Sequence, residues 1–153
     1  MTKHGVGGML FVAALPLMAE TVRVEDARTA LAFDSGRNYL LQELRDKALE
    51  VDHIGAAALE PGVHTLWEIT LRNREGATER LTPAQASAAS HRLEAGALSI
   101  RWTGIKGARI PSDLSFTLTV TLRGDGAAAW TFHVGGAAAG ALWEVTCPRV
   151  FAV

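Results

Sequence analysis

Cysteine is nearly missing from this sequence. Cys147 is the only one in 153 residues, so no disulfide can form within the chain, and the cysteine spacings that hold structural zinc are absent. Cys147 follows Trp143 and Val145 at intervals of two residues, and we expect it to be a buried small hydrophobic residue rather than a reactive thiol. The fold must therefore be held together by packing.

An excess of charge of one sign is also missing. The chain has 15 Lys and Arg against 16 Asp and Glu, a formal net charge of −1, and the two signs are interspersed. No broad basic face is available for a phosphate backbone, so nucleic acid is not an expected partner. A glycine-rich phosphate loop, a histidine pair at metal spacing and a Gly-x-Ser-x-Gly elbow are all absent. We therefore predict no cofactor and no metal site, and we assign no catalytic residue.

The sequence has no apolar run long enough for a comfortable membrane span, which needs about 20 residues. Its main apolar stretch, residues 6–19, follows Lys3 and His4, contains Pro16 and ends at Ala19. This arrangement indicates a secretory signal peptide at residues 1–19, cleaved after Ala19. We expect an exported protein, periplasmic or extracellular, without a stable membrane span. A retained membrane tether and a buried first strand are the alternatives.

What the sequence does contain is an alternation of apolar and polar residues with a period of two, which is typical of β-strands. It is clearest at residues 116–122, where every large side chain falls on one face. Residues 20–153 are accordingly predicted to form one antiparallel β-sandwich domain. The predicted strands, separated by Gly, Asp and Pro, are residues 21–24, 29–33, 39–44, 66–71, 97–102, 116–123, 127–134 and 142–147.

Three segments between these strands carry specific expectations. Residues 124–126, Gly-Asp-Gly, are predicted to join a hairpin because glycine tolerates the positive φ of a tight turn. Residues 81–90 are the only stretch that allows a short helix, with Thr82 as the cap and Pro83 in the first turn, and an edge strand or a surface loop is the alternative. Residues 104–113 are predicted to be a basic loop, and residues 135–140 a small-residue connector.

The four tryptophans are in phase with aliphatic or aromatic residues of their own segments, which favours positions in the core. An exposed indole could instead stack on a sugar ring. On that interpretation Trp67 and Trp143 are the carbohydrate-binding candidates, and His133, on the opposite phase to Trp130, is a third. Sequence spacing does not fix the separation of any two carboxylates, so no catalytic acid pair is assigned.

The order of several segments resembles that of a known family. They are residues 31–34 with Gly36, 40–46, 66–71, 98–102, 116–122, 130–134 and 142–148. Over residues 28–153 the chain resembles the N-terminal β-sandwich, of the galactose-mutarotase-like super-sandwich kind, that precedes the catalytic barrel in large bacterial glycoside hydrolases. The similarity lies in strand order and aromatic placement rather than in an invariant motif.

This resemblance implies a non-catalytic accessory domain that packs on a catalytic barrel of the same parent protein, whose catalytic carboxylates lie farther along the chain. No catalytic residue carries over to this sequence. The family pattern continues with further strands where residues 151–153 end this chain, so we expect the sandwich to be truncated at its C-terminus. Two alternatives remain: a free-standing carbohydrate-binding module, and a small mutarotase-like or lyase-like enzyme that uses His133 or His91 with an acidic residue.

Overall fold

A computed structural model describes residues 20–54 and 65–149, which form an all-β fold of three antiparallel sheets. The predicted fold class, an antiparallel β-sandwich, is confirmed. The predicted signal peptide at residues 1–19 lies outside the described residues. The strands are β1 (Thr21–Glu25), β2 (Thr29–Asp34), β3 (Leu40–Asp46), β4 (Val51–Asp52), β5 (Glu68–Arg72), β6 (Thr78–Leu81), β7 (Ala88–Glu94), β8 (Ala97–Ile105), β9 (Ser112–Leu122), β10 (Ala128–Ala138) and β11 (Ala141–Thr146).

The strands are ordered β1-β2-β3-β4 in the first sheet, β10-β9-β8-β7 in the second and β11-β5-β6 in the third. The first and third sheets both contact one face of the second. Tyr39, just before β3, meets Trp102 of β8 edge-on with ring centroids 5.7 Å apart, and Trp67, just before β5, stacks on Phe116 of β9 at 4.7 Å. The first and third sheets therefore both pack on the second sheet, and a single apolar core lies between the layers.

The alternation read from the sequence decides which face of the second sheet is buried. In β9 the burial pattern alternates strictly from Leu114 to Val120, with Ser and Thr on the other face. In β8 the residues opposite the β9 core positions are also buried, as in the pairs Trp102 with Phe116 and Ile100 with Leu118. Cross-strand pairs of this kind stabilise a sheet while filling the core.

An aromatic cluster lies at the centre of the core. Trp67 and Trp102 are both fully buried, and their rings meet edge-on at 5.6 Å. Their indole N–H groups have no hydrogen-bond partner among the described residues. An unsatisfied buried donor costs about 1–3 kcal/mol, so the apolar packing of these rings must outweigh that cost.

The predicted hairpin between residues 116–123 and 127–134 is confirmed. β9 and β10 pair along their whole length, and Gly124 and Gly126 in the turn have φ of 77° and 95°. The turn is also tied to the first sheet, because the amide of Gly124 donates to a carboxylate oxygen of Asp26 at 3.0 Å.

Two local predictions were wrong in part. Residues 135–138 are not part of a connector, because β10 continues to Ala138. Gly136 allows this: its φ is 101°, and its backbone lies so close to β9 that a Cβ at this position would overlap the carbonyl oxygen of Asp113. The short helix at residues 81–90 is only a 3-10 turn, Pro83–Gln85, capped by Thr82 as expected. β7 follows that turn, because pairing with β8 satisfies the backbone hydrogen-bonding groups of residues 88–94. The edge-strand alternative is therefore confirmed for residues 88–90.

Replacing Trp67 by alanine is expected to lower the free energy of unfolding by about 3–5 kcal/mol, because it empties the centre of the core. The same change at the exposed Trp143 is expected to cost no more than about 1 kcal/mol, the scale of an exposed cation–π contact. Urea unfolding followed by circular dichroism measures both. Equal losses for the two variants would contradict the assignment of Trp67 to the core.

Candidate functional site

The structure separates the two tryptophans proposed as sugar platforms. Trp67 is fully buried and closed to any ligand in this conformation, so the sequence hypothesis of an exposed ring there is not supported by its position. Trp143 is 61% exposed. His133 is exposed on β10, opposite Thr117 of β9. Of the three predicted candidates, only Trp143 and His133 are accessible, and they lie on strands of different sheets.

The exposure of Trp143 results from a β-bulge. Leu142 pairs with Leu71, and Glu144 pairs with Thr70, so Trp143 is the extra residue of the bulge and has no pairing partner on β5. A bulge shifts the alternation of the strand by one residue. The expectation that Trp143 shares the core face with Val145 was therefore wrong.

Beside Trp143 lies an open furrow. The guanidinium carbon of Arg72 sits 4.5 Å from the centroid of the indole ring, a cation–π distance. The hollow at this position has a volume of about 490 Å³, and its walls come from the end of β5, the turn that follows it and the β10–β11 connection. Its lining residues are Arg72, Asn73, Arg74, Gly76, Ala139, Gly140, Ala141 and Trp143.

A second hollow of about 360 Å³ lies beside the first and shares Asn73, Arg74 and Ala139 with its lining. It adds Glu75 and Arg109 to the charged groups. We call the two hollows together the Trp143 furrow. Arginine side chains thus come to one surface from the β5–β6 turn and from the loop that precedes β9.

Hydrogen bonds fix the backbone on both sides of the Trp143 furrow. In the turn, the amide of Ala77 donates to the side-chain oxygen of Asn73 at 2.8 Å. Across the furrow, the Glu79 carboxylate accepts from the amides of Ala108, Arg109 and Ile110 at 2.7, 3.1 and 2.6 Å. Desolvation raises the pKa of Glu79, but these amide donors outweigh it, and the net pKa is lowered. Glu79 is thus a carboxylate that holds the basic loop in place.

The enzyme alternative names His91 and His133, each acting with an acidic residue. His91 Nδ1 lies 2.9 Å from the Tyr39 hydroxyl. Burial, and secondarily the charge of Glu20, raises the pKa of Tyr39. Within residues 20–54 and 65–149, neither His91 nor His133 forms an ion pair with a carboxylate.

Cys147 is partly buried and packs against the core, in line with its predicted role as a small hydrophobic residue. Burial raises the pKa of its thiol to about 12, so the thiol is neutral at physiological pH. A nucleophilic role is therefore disfavoured.

A second surface lies where β10 and β11 form the edges of their sheets on the same side of the sandwich. Between them is an apolar cleft of about 210 Å³, whose walls include Leu71 and Leu114 from the core and Val134 and Leu142 from the edge strands. Leu142 in its wall is 51% exposed, and Phe132, two residues before Val134 on β10, is 47% exposed. We call this surface the edge cleft.

Within the described part of the chain, no group of three or more His, Cys, Asp and Glu residues is arranged to hold a metal ion. No helix in the same residues is long and apolar enough to cross a membrane.

Comparison of the chain with protein-family models, with curated proteins and with solved structures gave no match.

Glu79→Gln is expected to lower the free energy of unfolding by about 1–2 kcal/mol at pH 7, because it replaces a charged acceptor of backbone amides with a neutral one. A lowered folded-state pKa stabilises the fold above the ordinary glutamate pKa of about 4.3, and this stabilisation is lost as pH falls through the folded-state value. The difference from wild type should therefore shrink below about pH 4. Urea unfolding at pH 7 and pH 3.5 measures this, with the exposed Glu75→Gln as control; a difference that does not change with pH would contradict it.

Proposed function

We propose that this chain is a non-catalytic accessory β-sandwich domain of an exported carbohydrate-processing enzyme, a glycoside hydrolase, and that it packs against the catalytic barrel of that enzyme. The resemblance in strand order and aromatic placement suggests this function. The edge cleft is the observation that carries it, because an accessory domain needs an apolar surface on which its partner packs.

The face of the second sheet that is buried under the other two sheets remains uncovered at its β10 edge. Phe132 pairs with Leu118 and therefore points to the core side of the sheet, where its ring stacks on Phe116 at 5.8 Å. Yet it is 47% exposed. A large side chain on the inner face with no cover from the described residues is characteristic of a surface that another element buries.

The backbone of β10 supports the same proposal. Arg123 N donates to Ala127 O and Ala139 N donates to Pro111 O, so the odd-numbered residues of β10 form the hydrogen-bonded pairs with β9. The N–H and C=O groups of the even-numbered residues, including Phe132 and Val134, consequently point away from β9. Among residues 20–54 and 65–149, no strand pairs with β10 on that side.

The composition of β10 also fits a covered edge. Its sequence, Ala-Ala-Trp-Thr-Phe-His-Val-Gly-Gly-Ala-Ala, has no Lys, Arg, Asp, Glu or Pro. Exposed edge strands usually carry charges or proline, which prevent pairing with other chains. An eleven-residue edge without such protection is suited to burial against a larger partner.

The proposal predicts that the reading frame containing residues 20–153 also encodes a catalytic barrel, and that Phe132→Glu in that parent enzyme disrupts the contact between domains. We expect hydrolysis of the parent's glycoside substrate to fall at least tenfold or its thermal unfolding to split into two transitions. Leu93→Glu is the matched control, since Leu93 is equally exposed, at 52%, on the opposite edge strand β7. A frame without any catalytic domain, or equal effects of the two variants, would contradict the proposal.

A second function, carbohydrate binding by a free-standing module, is favoured by Trp143. Its ring is exposed beside a hollow of sufficient size for a small ligand, and aromatic rings provide the apolar faces on which pyranose rings stack. Binding of this kind is compatible with either a free module or an accessory domain.

A further inference from the structure

We propose that the Trp143 furrow binds an anionic saccharide, one that carries carboxylate or sulfate groups, with a pyranose ring on Trp143 and its anionic groups against Arg72, Arg74 and Arg109. The inference deepens the carbohydrate-binding function and rests on it. It names the class of sugar, which neither the sequence nor the resemblance indicated.

The apolar half of the site is the indole of Trp143. Arg72 lies over one face of the ring, and the exposed fraction of 61% leaves surface for a ligand on the rest of it. The contact with Arg72 also restrains the indole, which otherwise has only the irregular backbone of a bulge to position it. A restrained ring loses less conformational entropy when a ligand binds.

The charged half of the site is a group of arginines whose charge is not neutralised by ion pairs. Arg72, Arg74 and Arg109 all line the furrow, and within the described ranges none of them forms a salt bridge. The furrow therefore carries local positive charge although the whole chain has a net charge of −1.

The acidic residues near the furrow offset this charge only in part, although the charge of Arg109 interacts with the Glu79 carboxylate and helps to lower its pKa. Glu79 already accepts hydrogen bonds from the amides of residues 108–110, and its carboxylate is directed into the loop. Glu75 is the remaining acid among the lining residues. Three guanidinium groups against the carboxylates of Glu75 and Glu79 leave a positive balance, which favours a ligand with anionic groups because arginine binds carboxylate and sulfate oxygens through paired N–H donors.

The walls that present the arginines are fixed before any ligand arrives. Arg109 is held at its backbone amide by Glu79, and Arg74 lies in a turn closed by the hydrogen bonds between Asn73 and Ala77. The two neighbouring hollows, about 490 and 360 Å³, are within the size range of small-molecule sites. A ligand that contacts both Trp143 and Arg109 needs more than one sugar ring, since these residues line different hollows.

Titration calorimetry with charged oligosaccharides and their neutral counterparts tests the proposal. Suitable pairs are a galacturonate trimer and its methyl ester, and a sulfated galactan tetrasaccharide and its desulfated form. For at least one pair we expect the charged member to bind about tenfold or more tightly than the neutral one, with a difference that shrinks as salt rises. Trp143→Ala should abolish binding of that saccharide.

The variant Arg74→Gln/Arg109→Gln should weaken binding of the charged saccharide about tenfold without changing that of its neutral counterpart. Both residues are exposed, so folding should be retained, and circular dichroism checks this. Arg101→Gln, an exposed arginine of β8 outside the furrow, is the matched control and should have no effect.

Three results would overturn the inference. Equal affinity for charged and neutral members of both pairs would leave carbohydrate binding intact but remove its anionic specificity. Binding of inorganic sulfate as tightly as of the saccharide, unaffected by Trp143→Ala, would indicate a simple anion site. No binding by any saccharide would remove the carbohydrate-binding function as well, whereas the accessory function is judged separately by Phe132→Glu.

Discussion

The packing of Trp67, Trp102 and Phe116 is the contact on which the rest of this structure depends. These rings join β8 and β9 to the sheet that contains β5, and Tyr39 brings the first sheet to the same cluster. With one cysteine and no metal cluster among the described residues, apolar burial is the main source of stability. Two indole N–H groups lack hydrogen-bond partners among the described residues of this core. The packing of the rings therefore stabilises the core although two buried donors are left without acceptors among those residues.

Much of the fold was predictable because its central strands obey one simple periodicity. β8 and β9 are buried on one face only, so their alternation predicted the inward face correctly. The Gly-Asp-Gly turn after β9 predicted the hairpin of β9 with β10. The errors occurred where backbone geometry breaks that periodicity. At Gly136 β10 continues through a segment of Gly and Ala that the sequence analysis assigned to a connector. The bulge after Leu142 turns Trp143 outward. Neither event leaves a signal in the alternation of residue types, since both depend on the fit to a neighbouring strand.

The candidate site was predictable only in part. Trp143 was among the residues chosen from the sequence, but Arg72, Arg74 and Arg109 were not. Arg72 ends β5, Arg74 lies in the turn that follows, and Arg109 lies in a loop that β6 holds through Glu79. The basic character of the loop at residues 104–113 was the one available signal. Long-range placement of this kind follows from tertiary contacts, which sequence spacing in a β protein does not encode.

The unpaired side of β10 has a consequence for the isolated chain. If two copies met there antiparallel about a two-fold axis at His133, Phe132 of one copy would face Val134 of the other, and Trp130 would face Gly136, so each of these two aromatic side chains would meet a smaller residue. The outward-pointing amides would then be satisfied across the axis. Homodimers or larger aggregates would thus form at high protein concentration, and the stability measured for this chain would then include a contribution from self-association.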